Sequence, residues 1–286
     1  MFQLAHKTEH KPNEFSSEFW CFQIKYDGSR YLLIKNNSDV QFIIRNSETN
    51  KVAWYPELHR DFTKMPNGIF DGELIFRTEN RPYGDFYKLL KRENKNPNNI
   101  MEKSDRFKFV VFDVLIFEGK DLRNRPYAER LKYLDVIKKM DLFHIEVAKT
   151  FLNGKEAVKE ALENNAEGIM IKKQMATHTT GRTYNMLKYK FQNKERFDVV
   201  GFTSKSRAIS SLILEDKGKY VGKVDLTKAK YMDFLLNNVV GQDENGNYIL
   251  RKGITAIVRY MPVDKGQKLR QPILEKIEGV NGQVRC

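Results

Sequence analysis

Two apolar runs, residues 19–24 and 31–34, are separated by the six residues Lys25-Tyr26-Asp27-Gly28-Ser29-Arg30. The spacing reads as a tight turn joining two buried strands, with Asp27 and Gly28 supplying the turn chemistry. A lysine at such a junction has its solvation limited by apolar neighbours and is a candidate nucleophile. At an ordinary pKa of about 10.4, only about four lysines in ten thousand are neutral at pH 7, so something nearby has to lower that value. The alternative is a β-hairpin whose Lys and Arg face water, and the remaining segments decide between the two.

With 286 residues the chain is long enough for one large and one small domain, each with its own core. Hydrophobic residues at 41% and aromatics at 12% mark a folded globular protein. The net charge of +13 is spread along the chain among acidic residues, not concentrated in a basic tail or membrane-binding helix. That pattern suits a polyanionic partner, nucleic acid above all. Cys21 and Cys286, with no Cys-x-x-Cys spacing, exclude a disulfide framework and a zinc ribbon. Residues 1–18 are polar, and no run approaches the roughly 18 apolar residues of a membrane span. A cytoplasmic location is the expectation.

Strands are expected at residues 40–45, 68–76, 107–117, 167–172 and 186–191, the second of them broken by a turn at Asp71-Gly72. Helices are expected at 56–65, 87–92, 126–140 and 154–165, with a loose loop following the second. Residues 186–191 alternate apolar with basic, the period of a strand with one basic face. From about residue 195 short strands (198–202, 211–215, 220–224, 253–260) surround one helix (227–236), the pattern of a small Greek-key barrel of the oligonucleotide-binding type. The fold class is therefore α+β, with antiparallel sheets and helices over residues 1–192 and an OB-fold β-barrel over 193–286.

Charged or aromatic residues stand at strand ends in a fixed order. The segments are Lys-Tyr-Asp-Gly-Ser-Arg at 25–30, Asp-Gly-Glu-Leu at 71–74, Phe-Val-Val-Phe-Asp-Val-Leu at 109–115, Glu-Gly-Ile-Met-Ile-Lys at 167–172 and Leu-Lys-Tyr-Lys at 187–190. This order resembles the covalent nucleotidyltransferases, and within them the compact ATP-dependent DNA ligases, over roughly residues 15–280. The resemblance implies a nucleotidyltransferase (adenylation) domain followed by an OB-fold DNA-binding domain. It implies that Lys25 attacks the α-phosphate of ATP and becomes a lysyl-adenylate. Lys188 and Lys190, two apart on one strand face, would reach the same phosphate, and their charge would disfavour a protonated Lys25.

Further roles follow from the same likeness. Glu73, read as following an Asp-Gly turn, would accept a ribose hydroxyl or sit near a metal, and Glu167 would hold Mg²⁺ through water with phosphate oxygens. Phe112 would stack on adenine and Gln23 would read its amino group. Arg30 and Arg45 would bind ribose or the substrate's terminal 5′-phosphate. The C-terminal segment departs from the family pattern: the expected Asp-Lys pair is missing from residues 268–276, leaving Arg270 and Lys276 as candidates for the triphosphate.

The expected activity is sealing of 5′-phosphate, 3′-hydroxyl nicks in duplex DNA by a monomer, with a hinge near residues 192–194. Short barrel connections such as 204–211 leave little room for a clamp loop, which implies weak, salt-sensitive DNA binding. An RNA ligase or an mRNA-capping guanylyltransferase shares the lysine motif. A non-catalytic OB-fold nucleic-acid-binding protein accounts for the charge but not for the ordered acid and lysine sites.

Overall fold

The strands flanking the lysine motif, Trp20–Lys25 and Ser29–Asn36, belong to different sheets, so residues 25–30 are neither a hairpin nor a simple turn. They are the point at which the chain passes from one sheet to another. The computed structural model describes residues 1–93, 104–205, 208–227, 229–262 and 268–279. Most of the expected loop after the helix Phe86–Glu93 therefore lies outside the described residues, as does the middle of the 204–211 connection. The chain divides into two units, Met1–Lys190 and Phe191–Cys286.

In the first unit, one sheet runs in the order Gln3–Lys7, Gly181–Lys190, Gly168–Lys173, Trp20–Lys25, Thr150–Phe151. Its pairs are antiparallel except the edge strand Gln3–Lys7, which lies parallel to Gly181–Lys190. Nothing in the polar composition of residues 1–18 had marked that strand. The second sheet is built on Asp39–Ile44, Ser29–Asn36, Gly68–Phe76 and Phe107–Phe117, all antiparallel, with Ile145–Val147 added in parallel. Phe107–Phe117 is central because its aromatic and β-branched run can be covered on both faces.

One face of this second sheet packs Tyr31, Leu33, Phe42, Phe70 and Phe109 against Tyr55, Phe62 and Leu134, forming the main core. Leu134 comes from the helix Tyr127–Lys138. The other face turns Leu32 and Leu115 toward Phe2, a smaller apolar plug. The helix Gly154–Glu163 is capped by Asn153, whose side chain accepts from the Lys155 and Glu156 amides. The expected break at Asp71-Gly72 does not occur: Gly68–Phe76 runs continuously, and the irregularity falls on its neighbour. Gly72 is in the strand because a Cβ there would lie 2.6 Å from the Phe109 ring.

The second unit is a seven-stranded antiparallel sheet of the oligonucleotide-binding type. Its long strand Asn193–Lys205 pairs with Ala208–Asp216 on one side and with Tyr248–Leu250 and Thr255–Met261 on the other. The Leu269 amide donates to the Val221 carbonyl at 2.8 Å, tying Lys219–Asp225 to the entry of Arg270–Glu278. Short strands at Val239–Gln242 and Tyr248–Leu250 and the last strand escaped the sequence reading. Asn193 and Lys194, expected in a hinge, are already paired with Tyr260 and Arg259, so Phe191 and Gln192 alone lie between strands of the two units. Among the described residues no helix is long and apolar enough to cross a membrane.

Candidate active site

Because the lysine motif crosses between the two sheets of the first unit, it opens a cleft of about 730 Å³ with each sheet forming one wall. Gly28 permits the crossing: a Cβ there would lie 2.1 Å from the Leu74 carbonyl oxygen. Asp27 is no mere turn residue. Its carboxylate accepts from the Phe86 amide at 3.0 Å, at the start of the helix Phe86–Glu93.

The first wall is set by strand register. Lys25, Gly168 and Lys190 lie abreast; so do Gln23, Met170 and Lys188, and then Cys21, Lys172 and Met186. Side chains abreast in a ladder share a face, so the three lysines 25, 188 and 190 enter the same cleft. Gly168 has no side chain to fill the middle of the first row, and a Cβ there would sit 2.0 Å from the Tyr189 carbonyl oxygen. The space is used by Glu167. Its Oε2 pairs with Lys25 Nζ, and its Oε1 lies 2.6 Å from Lys190 Nζ. Burial works against ionisation of Glu167, yet Lys25 and Lys190 hold its carboxyl below the usual range. Lys188 is pushed down from its ordinary value by burial and then by Lys25 and Lys190.

The opposite wall carries Arg30, Glu73 and Phe112. Asp71 pairs with Asp113 and Gly72 with Val111, which leaves Phe112 as the extra residue of a β-bulge. Three residues on from Phe109, Phe112 lies on the face opposite the buried Phe107 and Phe109 and lines the cleft. The guanidinium of Arg30 lies 5.3 Å and Lys172 Nζ 4.4 Å from its ring centroid. Burial raises the Glu73 carboxyl to about 7, with Lys25 and Arg30 opposing the rise and Glu167 adding to it. Behind Phe112, Arg130 forms a buried bidentate pair with Asp113 at 2.8 and 2.7 Å.

The family described as ATP dependent DNA ligase domain matches residues 2–190. This chain belongs to that family. A "SPbeta prophage-derived DNA ligase-like protein" of Bacillus subtilis is 28% identical, with 91% of this chain aligned to 93% of that protein. A DNA ligase of Sulfurisphaera tokodaii is 31% identical over 52% of this chain and 26% of its own length. Against that and four further DNA ligases of archaea, this ligase-family chain spans only 26% to 36% of the relative. Its fold matches a mycobacterial DNA ligase D complexed with ATP (TM-score 0.60, 20% identity, 98% and 95% of the two chains). It also matches a Lig E DNA ligase (TM-score 0.67, 17% identity, 96% and 98%).

Of the residues named from the sequence, Arg270 and Lys276 do not line this cleft, whereas Gln23, Lys25, Arg30, Arg45, Glu73, Phe112, Lys188 and Lys190 line it and Glu167 binds two of its lysines. Their surroundings differ from expectation in four respects. Lys25 faces a carboxylate as well as two cations. Arg30 is already engaged, its Nε and Nη2 donating to Asp71 at 2.8 and 2.5 Å and its Nη1 to the Gln3 carbonyl at 2.5 Å. Gln23 has Nε2 3.0 Å from Thr150 Oγ1 and Oε1 3.0 Å from Tyr127 Oη. Glu73 lies within a continuous strand, not after a turn. Arg45 is exposed at the mouth, with Nε donating to Asn46 at 3.0 Å.

Asp71, Tyr127, Thr150 and Lys172 escaped the sequence reading. Lys172 was within reach of it, because a period of two from Met170 places it in the same cleft. Tyr127 sits on a helix remote in sequence and gave no signal. Arg270 is 4% exposed, and burial brings it down to about 10, while Lys276 pairs with Glu278 at 3.1 Å in the C-terminal unit.

Among the described residues no cluster of three or more His, Cys, Asp or Glu is placed to hold a metal. Glu73 nonetheless lines the cleft and Glu167 reaches its lysines, and among the described residues Glu73 shows no hydrogen bond or ion pair. That donor set fits a hard divalent cation completed by phosphate oxygens and water.

Proposed function

We propose that this chain seals 5′-phosphate, 3′-hydroxyl nicks in duplex DNA through a lysyl-AMP intermediate on Lys25. The observation that carries the reading is the convergence of Lys25, Lys188, Lys190, Glu73 and Phe112 on one cleft. The Lys25 amine attacks the α-phosphorus of ATP. A P–N bond forms as the P–O bond to pyrophosphate breaks, and the amine sheds its protons. For this Lys25 must exchange its contact with Glu167 for the phosphate, and Glu167 is the nearest base for its proton. Lys188 and Lys190 hold the α-phosphate oxygens, and Phe112 stacks on the base with Met170 and Met186 nearby.

Mg²⁺, held by Glu73 and Glu167, would neutralise phosphate charge as it develops. The DNA 5′-phosphate then takes AMP from Lys25, and the 3′-hydroxyl displaces AMP to close the phosphodiester. Arg45, exposed at the mouth, is placed to meet the 5′-phosphate. Arg30, locked to Asp71, serves the ribose end. The second unit binds the duplex, with Phe191 and Gln192 as the hinge. A net charge of +13 opposes self-association and favours a monomer, acting in the cytoplasm.

The test is incubation with α-labelled ATP and Mg²⁺, followed by a chase with nicked duplex. Label should stay on the denatured parent through alkali, be released by acid as expected of a P–N bond, be absent from Lys25→Ala, and leave as AMP when the nick closes. A variant lacking Lys25 that labels as well as the parent would sink the proposal. GTP in place of ATP, and RNA nicks in place of DNA, separate the capping-enzyme and RNA-ligase readings.

A further inference from the structure

Behind the base end of the cleft, five groups meet in a hydrogen-bond chain that the adenylation chemistry does not require. Tyr127 Oη lies 2.7 Å from the Phe112 carbonyl oxygen, 2.9 Å from Lys172 Nζ and 3.0 Å from one terminal atom of the Gln23 carboxamide. The other terminal atom of that carboxamide lies 3.0 Å from Thr150 Oγ1. Gln23 is only 1% exposed, so solvent cannot make good any group left unpaired.

Proton accounting fixes how this chain is wired. Burial pushes the Tyr127 hydroxyl well above its ordinary value, so it keeps its proton. A hydroxyl has one proton to give and two lone pairs to receive with. The Tyr127 proton is directed at two acceptors, the Phe112 carbonyl oxygen and Gln23 Oε1, while Lys172 donates into a lone pair of the same hydroxyl. At the other end Gln23 Nε2 donates to Thr150 Oγ1. Reversing the carboxamide by a half-turn would require both of these contacts to be remade.

A carboxamide secured at both ends has one N–H and one lone pair left, and their order along the cleft wall is set. Adenine presents an amino donor beside the N1 acceptor, whereas guanine presents an O6 acceptor beside the N1–H donor. The two orders are opposite. A glutamine that turns over freely can match either base, and a fixed one matches only one of them. We infer that Tyr127, with Thr150 at the other end, is a positioning residue through which this cleft distinguishes adenine from guanine. The inference rests on the lysyl-AMP reading and adds to it the source of base selectivity.

The experiment compares protein labelling by α-labelled ATP and α-labelled GTP, each with Mg²⁺, in the full chain. In Tyr127→Phe the ATP-to-GTP ratio should fall about ten-fold, the size expected when a buried donor–acceptor match is no longer enforced. Thr150→Val, which loosens the other end, should lower the ratio in the same direction and keeps the test available if Tyr127→Phe does not fold. In a Gln23→Ala background, Tyr127→Phe should leave the ratio where Gln23→Ala put it, because the residue it positions is gone. A purely structural defect would reduce both labels in proportion. That result, or an equal effect of Tyr127→Phe with and without Gln23, overturns the inference. A parent that takes no label from either nucleotide overturns the lysyl-AMP reading and the inference with it.

Discussion

Replacing Glu73 with glutamine should stabilise the N-terminal unit at neutral and alkaline pH and leave it unchanged in acid. Burial raises the Glu73 carboxyl from 4.5 to about 7 in spite of Lys25 and Arg30 nearby. Between those values the folded chain holds a proton that the unfolded chain has lost. Stability therefore falls as pH rises through the window, and the loss is complete above it. At about 1.4 kcal/mol per pH unit, that interval corresponds to up to about 3 kcal/mol. Against a total stability of roughly 5–15 kcal/mol for a domain, the difference is easily measured.

Glutamine stays neutral throughout and nearly matches glutamate in shape. Parent and Glu73→Gln should coincide near pH 4 and separate through the window, with the variant more stable at pH 8. Urea unfolding without nucleotide or divalent cation is the assay. Trp20 and Trp54, the chain's two tryptophans, both lie in the N-terminal unit, so fluorescence reports that unit alone. Equal stability at pH 8, or a less stable variant, would show that Glu73 ionises at no cost. The argument that its carboxylate awaits a cation would then fail.

The remaining predictions concern the frame of the cleft and its charge. Arg130→Met should cost about 3–5 kcal/mol, because it leaves the Asp113 carboxylate buried without its partner. Arg130→Met with Asp113→Leu should recover most of that loss in the same urea assay. Gly28→Ala forces a methyl against the Leu74 carbonyl, and should cost about 1–3 kcal/mol or more and abolish labelling with ATP; labelling at the parent rate would refute the close approach. Nick binding should weaken steeply from low to physiological salt, as expected where a basic surface meets phosphates; titration by anisotropy at two salt concentrations checks it.

Much of the site could be read along the chain because its residues lie on strands. A period of two tells which side chains share a face, so Lys188 with Lys190, and Gln23 with Lys25, were legible as pairs. The eleven residues Phe107–Phe117 were legible as a strand for the same reason, through their unbroken apolar run. What misled was local turn chemistry. Asp71-Gly72 has the composition of a turn, but Asp71 is held by Arg30, and Gly72 makes room for the Phe109 ring. Phe112 and Phe109 lie three apart and so on opposite strand faces, but in a run with four phenylalanines composition alone did not say which face meets the cleft. The strands Val239–Gln242 and Tyr248–Leu250 are too short to show a period, and become strands only by pairing with each other and, for the second, with Asn193–Lys205.

By itself the sequence determined the α+β class, and it singled out Lys25 as the candidate nucleophile together with the side chains at strand ends that would serve it, since each of these is written in short-range pattern. Only the tertiary structure decided that the lysine motif passes between two sheets and that Glu167 lies between Lys25 and Lys190. The same holds for Tyr127, brought from a distant helix to the back of Gln23. The Lys25–Glu167 and Tyr127–Gln23 contacts join residues more than a hundred positions apart, and no local rule of spacing or propensity carries information over that distance.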